Sequence, residues 1–151
     1  MIKFIGKNEE GSINDPSNHP STAFVVVESK NGYMLLYNKF HKHWEITGGY
    51  MEKNETPEEC AIRECKEESN QNISNLKFIG IAKYTKMNAA IYYSFINSEE
   101  TFIENNEMER MIWWKPNDKI EEKIDNESLK LIDLCKNITI QKPALSSSNK
   151  R

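Results

Sequence analysis

A chain of 151 residues, 38% hydrophobic and 28% charged, has the size and balance of one globular domain with a sizeable core. Its net charge of -3, with Lys and Arg scattered along the chain, excludes the basic stripe that double-stranded nucleic acid requires. No apolar run approaches the ~20 residues of a membrane helix, MIKFIGKNEE turns polar too early for a secretory leader, and Cys60, Cys65 and Cys135 fit neither a C-x-x-C pair nor a zinc spacing; a cytoplasmic protein with free thiols is expected.

In chain order, a short strand is expected at Ile2 to Ile5, followed by the polar loop NEEGSINDPSNHPS, where Gly, Pro and Asn break any periodicity. The β-branched run TAFVVVE (Thr22 to Glu28) predicts a buried strand, Asn31-Gly32 a hairpin turn, and YMLLYN (Tyr33 to Asn38) the return strand. FHKH reads as an exposed link carrying His41 and His43, and WEIT leads into Gly48-Gly49, read as a loop. A helix starts at Pro57, with Thr56 as N-cap and Glu59 completing a capping box, and ends at Ser69-Asn70-Gln71-Asn72. LKFIGIAKYT and AAIYYSFI are strands joined through Lys86-Met87-Asn88, with Tyr84, Tyr92 and Phe95 in the sheet core. EETFIENNEMER is an acidic connection, MIWW a short strand whose Trp113 and Trp114 face opposite ways, and NESLKLIDLCK a second helix with Leu129, Ile132 and Leu134 or Cys135 on its apolar face. The order predicts an α/β fold, a mixed central sheet between helices in an α/β/α sandwich, over residues 1–140 with a polar tail at 141–151.

The first helix carries a chemical anomaly. At ~100° per residue, Glu64, Glu67 and Glu68 share one side. Like charges at such spacings each cost roughly 0.2–0.5 kcal/mol, and a helix C-terminus repels anions by up to about 1 kcal/mol. The simple reading is a solvated acidic face, partly neutralised by Arg63 and Lys66. The alternative is a site for a hard dication, which carboxylate oxygens suit. The adjacent glycines favour the alternative, because they let backbone approach a ligand closely.

Gly49, Glu55 after five residues, Arg63-Glu64 after seven more, then Glu67-Glu68, resembles the Nudix (MutT/Nudix) box. WEITGGYME is similar to the family's Trp-Glu-Leu-Pro-Gly-Gly lead with Thr47 replacing proline, and MIWWKPNDKI to its later strand and turn. The chain departs from the pattern at Cys65, at Asn70 in place of glycine, and at Gln71 in place of an aliphatic residue; Asn suits a left-handed cap, so Asn70 is expected to keep the geometry.

The resemblance implies a hydrolase of a nucleoside diphosphate linked to another group. Glu64, Glu67 and Glu68 would hold Mg2+, or Mn2+, with a carbonyl of Gly48 or Gly49. Glu64 would act on the attacking water, Arg63 would orient Glu64, Glu55 would support the loop–helix junction, and Glu52 would contribute near the substrate. One further acid would come from Glu104, Glu107 or Glu109. Cys60, one turn before Glu64, has no general base and is read as a structural thiol. The expected partner is a small nucleotide. A compact chain favours a MutT-type nucleoside triphosphatase releasing pyrophosphate, with ADP-ribose, a dinucleoside polyphosphate, an RNA 5′ end, or a non-hydrolytic sensor as alternatives.

Overall fold

A computed structural model describes residues 1–137; the tail expected at 141–151 lies outside the described residues. Its elements are β1 (Lys3–Gly6), α1 (Glu10–Ile13), a 3-10 turn (Pro16–Asn18), β2 (Thr22–Ser29), β3 (Gly32–Asn38), β4 (His43–Glu45), β5 (Thr47–Tyr50), α2 (Pro57–Ser69), β6 (Lys77–Lys83), β7 (Asn88–Phe95), β8 (Met108–Trp114) and α3 (Asn126–Asn137). The expected fold class holds, as a mixed sheet with α2 and α3 on its two faces.

Strand order is β1-β6-β7-β2-β3-β4, with β5 against β2 and β8 against β3. The β2–β7 pair is parallel and the other named pairs are antiparallel. Strand β2 shares one edge between two partners: β5 pairs with Thr22 to Val25 and β3 with Glu28 and Ser29. That division places the N-terminal half of β2, and β5 with it, beneath α2.

Alternation along β2 explains the two-sided core. Ala23, Val25 and Val27 pack with Cys60, Ala61 and Cys65 of α2, while Val26 packs with Leu131, Ile132 and Cys135 of α3. Burying Leu131 and Ile132 contributes roughly 1.5–3 kcal/mol each. Leu129 and Leu134 are only partly buried, so the apolar face of α3 is centred on Leu131, Ile132 and Cys135. Trp114 joins the α3-side core and Trp113 packs on the α2 side, the expected split.

Four local readings change. The loop after β1 contains α1 and the 3-10 turn, the latter capped by the Asp15 carboxylate, which accepts from Ser17 N–H at 2.9 Å. The first hairpin turn sits one residue earlier than Asn31-Gly32 suggests, because Gly32 already pairs with Ser29. Strand β8 begins at Met108, fully buried and paired with Asn38 across a bulge, so Glu109 lies in a strand. Gly48 and Gly49 are strand residues opposite Phe24 and Ala23.

Candidate functional site

The glycines form a strand because close approach, not turn geometry, requires them. A Cβ on Gly48 would run into the Phe24 ring and the Ala23 carbonyl. One on Gly49 would lie 2.5 Å from Glu64 Oε2. The Glu64 carboxylate therefore rests directly on bare backbone of β5.

Helix α2 carries the acids as its sequence signals predict. The Thr56 hydroxyl accepts from Glu59 N–H at 3.1 Å and Glu59 Oε1 accepts from Thr56 N–H at 2.9 Å, closing the capping box. The helix ends at Asn70 with φ 64°, the expected left-handed cap. Asn70 Nδ2 donates to Thr101 O at 2.8 Å, Gln71 Nε2 to Glu100 O at 2.7 Å, and Asn105 Nδ2 to Glu68 O at 2.9 Å. Gln71 is fully buried and exchanges hydrogen bonds with the 100–105 connection, so it replaces an aliphatic packing contact with a polar one.

Arg63 organises the near side. Its Nε and Nη2 grip Glu55 at 2.6 and 3.0 Å, Nη1 reaches Glu64 Oε2 at 3.0 Å and Glu67 Oε1 at 3.2 Å, and Nη2 donates to Tyr50 O at 3.1 Å. Glu55 Oε1 also accepts from Glu52 N–H at 2.9 Å. The Arg63 bonds, followed by that backbone bond, hold Glu55 down at about 2. Glu52 itself is exposed, with its carboxylate 3.7 Å from Arg63 Nε. Glu67 is also largely exposed.

Glu68 is different. It is buried, and its Oε1 accepts from the neutral Thr47 hydroxyl at 2.5 Å and from Gly48 N–H at 3.2 Å. Burial pushes its carboxyl well above the usual range; the Thr47 bond opposes this, and the charges of Glu107 and Glu64 add to it. Glu64 is raised too, by burial first and against the pull of Arg63. Of the three later acids, Glu107 is the one whose charge reaches both Glu64 and Glu68. Glu104 pairs instead with Lys39 at 3.1 Å, and Glu109 with Arg110 at 3.3 Å.

The donor set fits a hard dication. Glu64 and Glu67 share the Arg63 guanidinium and Glu68 is buried among neutral donors, so the three carboxylates do not meet at one point here, while Gly49 leaves room that any side chain would fill. Cys60 Sγ donates to Gly49 O at 3.4 Å, and burial raises its thiol to about 11, which leaves it a poor nucleophile.

Sequence reasoning missed Thr47, Asn38 and Asn105 as supports of the site. Thr47 showed only as a departure from a proline. Asn38 Nδ2 donates to both Glu45 Oε2 and Glu107 Oε2 at 3.1 Å, a bridge invisible in any local pattern. The expected exposed link is likewise more ordered than its polarity suggests: His43 opens β4, and both His41 and His43 bond Glu45.

A family model described as the NUDIX domain matches residues 18–135. A segment of 58 residues, 37% of the chain, is 34% identical to the NAD-capped RNA hydrolase NudC of Vibrio atlanticus, and the match spans 22% of that protein. A NUDIX-family hydrolase from Clostridium perfringens superposes with TM-score 0.65 at 26% identity, covering 79% of this chain and 95% of that one. The Bacillus subtilis pyrophosphohydrolase BsRppH superposes with TM-score 0.63 at 21% identity, covering 82% and 85% of the two chains.

Proposed function

The chain belongs to the NUDIX family, and from that premise we propose that it is a magnesium-dependent hydrolase of phosphoanhydride bonds acting on a nucleoside triphosphate, releasing a monophosphate and pyrophosphate. The observation that carries the metal-dependent reading is Glu68, a buried carboxyl bonded to neutral groups beside Glu64 and the bare backbone of Gly49.

In this reading Glu64, Glu67 and Glu68 hold the dication, with Gly48 or Gly49 offering a carbonyl. Bound Mg2+ would offset phosphate charge and make water acidic enough to attack an anhydride. Glu68 gives up the proton that burial favours, and the Thr47 hydroxyl and Gly48 N–H steady the resulting carboxylate. Arg63 fixes Glu64 against Gly49 by a 3.0 Å bond to Oε2, leaving Oε1 to take a proton from the nucleophilic water. Glu55 keeps Arg63 in place through two bonds, and Glu107 lends further negative charge. Glu52, exposed beside Arg63, faces the solvent side where substrate would enter. Buried thiols at Cys60, Cys65 and Cys135 suit a reducing, cytoplasmic setting.

The triphosphate preference rests on the resemblance of the Gly49-to-Glu68 segment to the MutT/Nudix box. The NudC match favours a second reading, hydrolysis of a dinucleotide cap or another nucleoside diphosphate derivative. A panel of nucleoside triphosphates, ADP-ribose, NAD, dinucleoside tetraphosphate and 5′-triphosphorylated RNA, incubated with Mg2+ and resolved by chromatography, separates them. Monophosphate with pyrophosphate supports the proposal. Two monophosphates from ADP-ribose or NAD redirect the substrate, and saturable binding without product indicates a sensor.

A further inference from the structure

Outside the acids of α2, three side chains converge around β4. His41 Nδ1 and His43 Nε2 lie 2.9 and 2.8 Å from the same atom, Glu45 Oε1. Their ligand atoms all fall within 4.8 Å of one another, and among the described residues no other group of three or more His, Cys, Asp or Glu does so. We propose that His41, His43 and Glu45 bind a transition-metal dication of the zinc class, with a further coordination position open to the adjoining cavity.

The cluster is built rather than incidental. Strand alternation puts His43 and Glu45 on one face of β4. Lys42, at φ 56°, turns the preceding backbone so that His41 reaches the same carboxylate. Asn38 Oδ1 accepts from the N–H groups of Phe40 and His41 at 2.9 and 3.0 Å, which fixes that turn. Asn38 Nδ2 holds Glu45 Oε2 at 3.1 Å, leaving Oε1 toward the imidazoles. An outer partner that orients a ligating carboxylate is what a metal site needs.

The donor chemistry selects the metal. Two imidazole nitrogens and one carboxylate oxygen suit zinc, cobalt or nickel, whereas magnesium favours oxygen donors and retained water. Three protein ligands with a fourth position left for water or another donor is an established zinc arrangement. Tetrahedral ligands around zinc stand about 3.3 Å apart, so the donors must separate by about half an ångström. His41 has a side chain 58% exposed and can move by that much. The charges of Glu107 and Asp125 also act on His41 and favour a cation there. A cavity of about 300 Å³, bounded by Phe24, Tyr84, Ser128 and the three ligands, has room for water or a small donor molecule at the open position.

Calorimetric titration of the full chain with Zn2+, paralleled by the visible absorption of Co2+, tests the site. The unmodified protein is expected to take up one Zn2+ that excess Mg2+ does not displace. His43→Gln and His41→Ala are each expected to weaken that binding at least about tenfold and to abolish the Co2+ absorption. Glu64→Gln/Glu68→Gln, which alters the acids of α2, is expected to leave it unchanged. Circular dichroism confirms that each variant is folded; His41, being exposed, can be replaced without disturbing the core. Absence of Zn2+ uptake, uptake that survives both histidine substitutions, or uptake lost in the double glutamine variant would each overturn the assignment. Because the readout is metal binding, failure here leaves the hydrolytic reading intact, and failure of hydrolysis leaves this site intact.

Discussion

In the proposed metal site, Glu68 concentrates the conflict between folding and function in one side chain. Without metal, its carboxyl stays protonated in the fold at pH values where an unfolded glutamate, at about 4.3, has ionised. Its contribution to stability is therefore complete below about pH 4 and is lost as pH rises toward its raised folded value. Glu68→Gln removes that slope. In EDTA at pH 8–9 the variant should melt at a higher temperature than the parent, while turnover falls on the order of a hundredfold or more. Thermal melts across pH, paired with steady-state rates, check both halves; unchanged turnover would remove Glu68 from the site. Thr47→Val keeps the shape but deletes the bond to Oε1, so the Mg2+ concentration for half-maximal rate should rise about tenfold. At this scale the placement of Glu64, Glu67 and Glu68 on one helix was legible because helix signals are local. Thr47 was not, since its partner lies 21 residues away and only the fold brings them together.

Elements were legible where their own sequence carried the signal. The α2 boundaries followed from Thr56, Pro57, Glu59 and Asn70, each acting on a neighbouring turn. Strand β5 was hidden because Gly48-Gly49 interrupts the β propensity of Thr47 and Tyr50; the two glycines answer to Phe24 and Glu64, residues of other elements. Likewise β8 reached back to Met108 because β3 supplies a pairing edge across the bulge. The cap at Asn70 gives a test. Asn70→Ala places a Cβ-bearing residue without a compensating amide at φ 64°, at a cost of about 1 kcal/mol, so the melting temperature should fall by about 3 °C. Asn70→Gly removes the same Nδ2 bond to Thr101 yet relieves the backbone, and should fall less. Equal losses would assign the effect to the side-chain bond instead of the cap.

Across the whole molecule, the mixed sheet holds α2 and the 100–107 connection in one frame, with Asn70, Gln71 and Asn105 tying them together. The sandwich was legible from the order of strands and helices. The parallel β2–β7 pairing and the splitting of one β2 edge between β3 and β5 were not, because register depends on distant partners. Glu55 supplies a global test of the Arg63 network. Its folded value is depressed to about 2, so its contribution is present above about pH 4.5 and lost as pH falls toward 2. Glu55→Gln should flatten that acid limb of the stability profile, measured by denaturant unfolding from pH 7 to 2.5. The central claim is that the acids of α2 gather around a dication beside Gly48 and Gly49. Crystals soaked with Mn2+ and a non-hydrolysable nucleotide test it most directly through anomalous scattering. The account predicts a peak bound by carboxylates of Glu64 and Glu68 next to the β5 glycines; a map with no peak there, and with Glu68 still bonded only to Thr47 and Gly48, would contradict it.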